Sequence, residues 1–233
     1  MTEVETCCDE CGSELEVGQT GSCDDCREYT FGELNESAKN KARDAMRYTE
    51  HYLDYEWWDG VYENADQIAK ILGLDIEETK TRAGNKGTYN EINISFSGFC
   101  SQGDGACFHG RYSFNPKGVE EIKAHCNDEE LYRIATELHA MQITQRLLGN
   151  EYFSAKITTS GRYSHSHTMS VEIPDWGCDE VGEPDEDQFT QFMRDFADWI
   201  YSALESENDH LMSDEVVDMQ LEDEKFDVSG STI

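Results

Sequence analysis

Apolar residues recur at every third or fourth position in several stretches, which is the spacing of a helix with one buried face. Asn35 or Ser37 is placed to cap the first of these helices, and Gly73 is placed to end the second. A shorter helix is predicted to start at Pro116 and Gly118. The four longer helical stretches lie at residues 38–46, 58–72, 128–148 and 189–204, and the tail from His210 is predicted to hold one more short helix. The apolar face of the third stretch includes Met141 and Leu148, and that of the fourth consists of Phe189, Phe192, Met193, Phe196, Ile200 and Leu204.

Between these helices, apolar and polar residues alternate, which is the pattern of half-buried strands. One pair of strands is predicted at residues 88–99 and 107–114. A second pair is predicted in "YFSAKITTSGRYSHSHTMSVEI", with its turn at Ser160 and Gly161. Strands and helices do not alternate strictly, which argues against a parallel sheet. We therefore expect an α+β domain with a largely antiparallel four-stranded sheet, made of two hairpins and packed with helices.

Two C-x-x-C pairs, separated by eleven residues, lie near the N-terminus. Four thiolates at this spacing complete a tetrahedral zinc site, and a closed site of this kind is structural. Two disulfides are the alternative, but they are rare in a cytoplasmic protein. Cys7 could replace its neighbour as a ligand. The predicted zinc ligands are Cys8, Cys11, Cys23 and Cys26.

The predicted domains are a small zinc ribbon, residues 1–29, and an acidic α+β domain, residues 30–233. About 25 residues cannot form a core alone, so the metal is expected to supply the folding energy of the ribbon. The N-terminus lacks the basic start and the apolar run of a secretory signal. No apolar run approaches the roughly 20 residues that span a bilayer. We expect a cytoplasmic protein without membrane association.

The chain carries 50 acidic and 18 basic residues, a formal net charge of −32. This charge repels nucleic acid and anionic membranes, so direct binding to nucleic acid is not expected. Three interpretations stay open: a solvated surface adapted to a saline interior, a surface for a basic protein partner, or a mimic of nucleic acid. From Glu172 to Asp227, 20 acids accompany only two bases. This concentration favours a dedicated acidic surface.

The glycine-rich loop "SQGDG" between the first two strands is the best candidate for a ligand site, because a hairpin can close with two turn residues. Alternation on a strand would place His165 and His167 on one face, about 7 Å apart. Together with Asp104 and Asp59 they could bind a catalytic divalent metal. The alternative is that Asp104 closes the hairpin loop and the histidines continue a polar face. The predicted ligand-binding residues are Gln102, Gly103, Asp104, Gly105, Trp57 and Trp58.

Motifs of other enzyme classes are missing from the sequence. It contains no nucleophile elbow, phosphate-binding loop, zinc-protease motif or dinucleotide fingerprint. Cys100 and Cys107 bracket the glycine-rich loop and are expected to be buried as small hydrophobic residues. A binding protein is therefore favoured over an enzyme.

Four stretches together resemble one protein family: "DYEWWDGVYENADQIAKILGLDI", "ISFSGFCSQGDGACFHGRYSF", "SGRYSHSHTMSVEI" and "FMRDFADWIYSALESENDHLMSDEVV". This family consists of acidic proteins encoded by phages and prophages, with an FSGFxSQGDGAxF motif. Some of its members carry the label of an antitoxin. The resemblance covers residues 30–225 and leaves out the zinc ribbon. It implies a phage-borne accessory role and carries no catalytic assignment.

The expected function is that of a non-enzymatic phage or prophage accessory protein. Its acidic surface would mimic nucleic acid and neutralise a host nucleic-acid-handling or defence protein. One alternative is a small-ligand or metal-dependent nucleotide-processing enzyme that uses the "SQGDG" loop and the H-x-H strand. Another alternative is an antitoxin that masks a basic toxin.

Overall fold

The structure, a computed structural model, describes residues 8, 13–15, 23, 26–49, 52–53, 56–82, 88–174 and 184–233. The chain divides into two compact units. One unit is Met1–Trp57 together with Asn208–Ile233, and the other is Trp58–Glu207. The boundary predicted between residues 29 and 30 falls inside the first unit and stays a prediction.

The described residues form six α-helices, ten strands and short 3-10 turns, so the predicted α+β class is confirmed. The helices are α1 Glu36–Arg47, α2 Asp59–Leu72, α3 Gly118–His125, α4 Glu129–Leu147, α5 Glu186–Leu211 and α6 Asp214–Leu221. The strands are β1 Tyr29–Thr30, β2 Leu74–Ile76, β3 Glu78–Arg82, β4 Thr88–Ile92, β5 Ile94–Ser97, β6 Gly105–Phe108, β7 Gly110–Tyr112, β8 Ala155–Thr159, β9 Met169–Glu172 and β10 Lys225–Phe226.

A four-stranded antiparallel sheet lies in the unit Trp58–Glu207, with the strand order β2-β7-β8-β9. Alternate residues are buried and exposed along these strands, because successive side chains point to opposite faces. The predicted sheet is present: β8 and β9 form the second predicted hairpin, and β7 lies within the predicted strand 107–114, but β2 stands in the sheet where the strand 88–99 was expected. Strands β2 and β7 take the other two places, and β5 pairs with β6 outside this sheet.

Three extended segments exchange partners at Glu77, Asn93 and His109. The N–H of Glu77 donates to the carbonyl of His109 at 2.9 Å, and the N–H of Asn93 donates to the carbonyl of Glu77 at 2.8 Å. The N–H of His109 closes the ring by donating to the carbonyl of Asn93 at 3.2 Å. The single strand predicted at residues 88–99 therefore pairs with β3 before Asn93 and with β6 after it.

The core of this unit is formed by the sheet and by α5. All six apolar residues predicted on one face of α5 are buried. Their rings contact the inner face of the strands: the Phe196 and Phe108 ring centroids are 5.7 Å apart, and those of Phe189 and Tyr112 are 4.9 Å apart. Aromatic pairs at these distances stabilise a core beyond the area they bury.

The buried face of α4 differs from the prediction at its C-terminal end. Met141 is only half-buried and Leu148 is exposed, whereas Gln142 and Gln145 are buried. The Gln142 side-chain amide donates to the carbonyl of Phe153 at 2.9 Å and accepts the Phe153 N–H at 3.0 Å. Burial costs this glutamine little, because both polar groups of its side chain are paired.

In the unit that contains both termini, α1 packs against α6, the predicted short C-terminal helix. Asn35 caps α1 by accepting the N–H of Ala38 at 3.0 Å, as predicted. Arg43 on α1 donates two hydrogen bonds to the Asp218 carboxylate on α6, at 2.6 and 2.8 Å. Such bidentate pairs fix geometry as well as adding energy. Beside them, Phe31 and Phe226 are buried in a small core.

Candidate functional site

Three cysteines of the predicted zinc ribbon lie together. The Sγ atoms of Cys8, Cys23 and Cys26 are all within 4.8 Å of one another. The carbonyl of Cys23 accepts the N–H groups of Cys26 at 3.0 Å and Arg27 at 2.8 Å, which closes a tight turn around the second C-x-x-C pair. Cys11 and Cys7 lie outside the described residues.

The donor set of this cluster fits a metal ion that prefers sulfur. In a tetrahedral site with Zn–S bonds of about 2.3 Å, neighbouring sulfur atoms lie about 3.8 Å apart. The separation of the three thiols is compatible with that distance. Cys8 is only 3% exposed, which is typical of a structural site closed to solvent. The three cysteines could therefore hold a metal ion.

The carboxylate of Asp104 is bound within its own loop. Its Oδ2 atom accepts the N–H of Cys100 at 2.8 Å and that of Ser101 at 2.6 Å. The N–H of Asp104 returns a hydrogen bond to the carbonyl of Ser101 at 3.1 Å. The carboxylate thus accepts backbone N–H groups that lie three and four residues before it in the sequence, which closes the loop on itself. Asp104 therefore organises the loop, and Gln102 and Gly103 are exposed at its tip.

Two glycines of the loop are explained by close contacts. A Cβ atom on Gly98 would lie 3.1 Å from the Asp104 Oδ2 atom, and a Cβ on Gly105 would lie 3.1 Å from the His165 ring. These separations are tighter than ordinary van der Waals contact, so a side chain at either position would push the loop apart. In contrast, a Cβ on Gly103 would meet no atom within 4 Å.

A row of aromatic rings runs from the start of α2 to α5 beside this loop. Neighbouring ring centroids lie 5.6 Å apart for Trp58 and Phe96, 5.9 Å for Phe96 and Phe99, and 5.4 Å for Phe99 and Tyr201. The Tyr201 hydroxyl donates to the carbonyl of Gly98 at 3.0 Å, which ties α5 to the loop. Burial raises the pKa of Tyr201, and the nearby Glu205 and Asp104 carboxylates raise it further. All four rings are partly exposed.

The remaining predicted site residues lie as follows. Trp57 is half-buried and belongs to the unit that contains both termini. Asp59 is exposed and is the first residue of α2. His167 lies in a 3-10 turn, Ser166–Thr168, between β8 and β9, and His165 is the residue before this turn, so the prediction of one strand through both histidines is wrong. The connection between the two strands is longer than the predicted turn, and the His165 Nδ1 atom accepts the His167 N–H at 3.0 Å to cap it. The two imidazole rings stack, with centroids 5.1 Å apart.

The structure brings only some of these candidates together. His165 lies against Gly105, next to Asp104. Within the part of the chain that the structure describes, the only three histidine, cysteine or carboxylate ligands that cluster within 4.8 Å are the three cysteines above. Among the described residues, Asp59, Asp104, His165 and His167 contribute no such cluster, and the catalytic role predicted for them stays a prediction.

Cys100 and Cys107 differ in their environments. Cys107 is buried, as predicted, and burial raises the pKa of its thiol, which makes the reactive thiolate scarce. Cys100 is exposed, so the prediction that it is buried is wrong. It lies in the loop that follows β5, outside the paired strands, and its N–H donates to the Asp104 carboxylate.

The outer side of α5 is acidic. Asp187, Asp198 and Glu205 are exposed, and their spacing of eleven and seven residues places them on one side of the helix, which we call the acidic face. Asp195 is paired with Arg133 of α4. The one basic residue between Glu172 and Glu207, Arg194, is half-buried and donates to the carbonyl of Met169 at 3.3 Å. Among the described residues, Arg194 therefore forms no ion pair with the carboxylates of the acidic face.

These features define an acidic α+β protein with a cysteine cluster that could hold a metal ion. The chain belongs to the family described as a domain of unknown function (DUF8835), whose model matches residues 57–214. The match includes the Asp104 loop, the aromatic row and the acidic face, and leaves out the cysteine cluster. No curated protein and no solved structure matches the chain. None of the described helices is long and apolar enough to cross a membrane.

Proposed function

We propose that this chain is a non-enzymatic binding protein whose acidic face occupies the basic surface of a host protein that handles nucleic acid. The observation that carries this proposal is the charge of the acidic face, whose three carboxylates form no ion pair with any described residue. Asp187, Asp198 and Glu205 extend over about 27 Å of helix at the usual rise of 1.5 Å per residue. The nearest base in sequence to Asp198, Arg194, donates to a backbone carbonyl instead of neutralising them.

The support of α5 also favours binding. Its opposite side is held by six buried apolar residues, so the carboxylates project from a helix that cannot rotate. Charges in fixed positions match a partner's charges at a smaller entropic cost than charges on a mobile tail. A net charge of −32 also accelerates encounters with a basic partner.

A structural zinc ion bound by Cys8, Cys11, Cys23 and Cys26 belongs to the same proposal. The close Sγ atoms of the three described cysteines support it. A closed four-thiolate site supplies folding energy and has no open position for a reaction, which agrees with a binding role.

The test uses a purified bacterial histone-like protein as a basic, DNA-binding probe. Its affinity for the full chain is measured by calorimetry for wild type and for a variant with Asp187→Asn, Asp198→Asn and Glu205→Gln. Exposed charge pairs contribute about 0.2–1 kcal/mol each, so we expect the variant to bind about tenfold more weakly.

The control carries the same loss of charge elsewhere, through Glu63→Gln, Glu120→Gln and Glu151→Gln, which are all exposed. We expect it to keep nearly the affinity of wild type. Equal losses in both variants would mean that only total charge matters, and the proposed acidic face would be rejected.

The accessory role in phage or prophage biology, with a host defence protein as target, extends this proposal and rests on the sequence resemblance. The antitoxin and enzyme alternatives stay predictions. The enzyme alternative receives no support from the described residues, because Asp104 is engaged by its own loop and the candidate ligands do not converge.

A further inference from the structure

Two basic residues lie side by side on the outer face of the four-stranded sheet. Arg111 on β7 is directly opposite Lys156 on β8, and both are exposed. Like charges in opposite positions of neighbouring strands destabilise a sheet. In a chain with 50 acids and only 18 bases, placing two bases together is not a consequence of composition. This pair therefore calls for a functional reason.

Acidic residues flank the pair without neutralising it. Asp75 on β2 lies opposite Arg111, and Glu172 on β9 lies opposite Lys156, so the row across the sheet is acid, base, base, acid. Opposite charges at such positions can form cross-strand ion pairs. Among the described residues, however, neither Arg111 nor Lys156 takes part in an ion pair. Both residues line one groove of the surface.

That groove has a volume of about 580 Å³, which lies in the range of small-molecule sites. Besides Arg111 and Lys156, it is lined by the hydroxyl-bearing residues Ser113 and Ser154. Ser113 lies two residues after Arg111 and Ser154 lies two residues before Lys156, each next to the end of its strand, so the alternation places them on the same face as the two bases. The groove therefore offers a guanidinium, an ammonium and two hydroxyl groups, and the carboxylates of Asp75 and Glu172 line it as well.

We propose that this groove binds the phosphate group of a small ligand. A guanidinium donates two parallel hydrogen bonds to phosphate oxygens, and an ammonium adds a compact positive charge. The two hydroxyl groups supply donors for the remaining phosphate oxygens. A carboxylate has only two oxygens and would leave some of these donors unused. Asp75 and Glu172 repel further negative charge at the sides, so the groove selects a compact anion over an extended polyanion such as nucleic acid.

The test titrates inorganic phosphate into the full-length ¹⁵N-labelled chain at constant ionic strength, and follows the amide signals of β7 and β8 by NMR. We expect saturable shifts, and we expect Arg111→Gln and Lys156→Gln each to weaken the affinity at least fivefold. Lys117→Gln, which removes an exposed charge before α3, serves as the matched control and should bind like wild type. Asp75→Asn should bind phosphate more tightly, because it removes a repelling charge.

Circular dichroism of each variant checks that the fold is intact, which we expect because both bases are exposed and unpaired among the described residues. The proposal is overturned if phosphate shifts the signals no more than chloride does, or if acetate binds as tightly as phosphate. It is also overturned if the double variant Arg111→Gln/Lys156→Gln keeps the wild-type affinity, or if Lys117→Gln loses as much affinity as Lys156→Gln.

Discussion

Replacement of Asp104 distinguishes a carboxylate that holds its loop together from one that is available to a ligand. In the structure, a half-buried carboxylate accepts two backbone N–H groups, from Cys100 and Ser101. Hydrogen bonds to charged groups contribute about 1.5–3 kcal/mol each when both partners are well placed. Because this side chain is partly solvated, we expect Asp104→Ala to lower the free energy of unfolding by about 2 kcal/mol. Asp104→Asn keeps an oxygen at the same place and should cost about 1 kcal/mol.

Urea unfolding followed by circular dichroism measures these changes, and amide hydrogen exchange locates them. A local loss of about 2 kcal/mol corresponds to roughly 30-fold faster exchange at the amides of Cys100 and Ser101. The control is Asp198→Ala, an exposed position in α5 that should change stability by less than about 0.5 kcal/mol. If Asp104→Ala were as stable as this control and exchange at the two amides were unchanged, the structural role of Asp104 would be refuted.

Three further predictions concern the rest of the chain. The purified Cys23→Ser variant should contain less zinc per chain than wild type, measured by mass spectrometry, whereas the Cys100→Ser variant should contain as much as wild type. Equal zinc contents in the two variants would contradict a metal site at the cysteine cluster. Hydrogen bonds from Arg43 lower the pKa of Asp218 below its ordinary value of 3.8. The pair therefore stabilises the fold at pH values above 3.8, and this contribution is lost as the pH falls through the lower pKa that Asp218 has in the folded state. The stability difference between wild type and Asp218→Asn should therefore shrink between about pH 5 and about pH 2, and a constant difference would exclude the mechanism. Gly73→Ala should lower the free energy of unfolding by more than about 1 kcal/mol, measured in urea. Gly73 has a φ of +85°, and the Cβ of an alanine there would overlap the backbone carbonyl of Ser113. A neutral effect would mean that this turn relaxes.

The helices and the class of the fold could be predicted because local patterns determine them. The six apolar residues of α5 follow the helical period and are all buried. The pairing of the strands could not be predicted in the same way. Asn93 looks like an ordinary polar residue within one strand, but its backbone joins a three-way exchange with Glu77 and His109, which are distant in sequence. Alternation specifies a strand without specifying its partner.

The candidate site shows the same limit. The spacing of the cysteines was enough to predict a cluster, because the tight turns of two C-x-x-C pairs are local. The sequence predicts a loop at Asp104, but it does not predict that the Asp104 carboxylate points back to the N–H groups of Cys100 and Ser101. Likewise, the pairing of Arg111 with Lys156 follows from the register of β7 and β8, and no local pattern reveals it.

We propose that the acidic face takes the place of nucleic acid on a basic protein. Competition tests it most directly: a fluorescently labelled DNA duplex is bound to the histone-like protein, and the full chain is added while the anisotropy of the DNA is recorded. We predict that wild type displaces the DNA, and that the variant with Asp187→Asn, Asp198→Asn and Glu205→Gln needs about tenfold more protein to do so. Failure of wild type to displace the DNA, or equal displacement by the variant, would contradict the account.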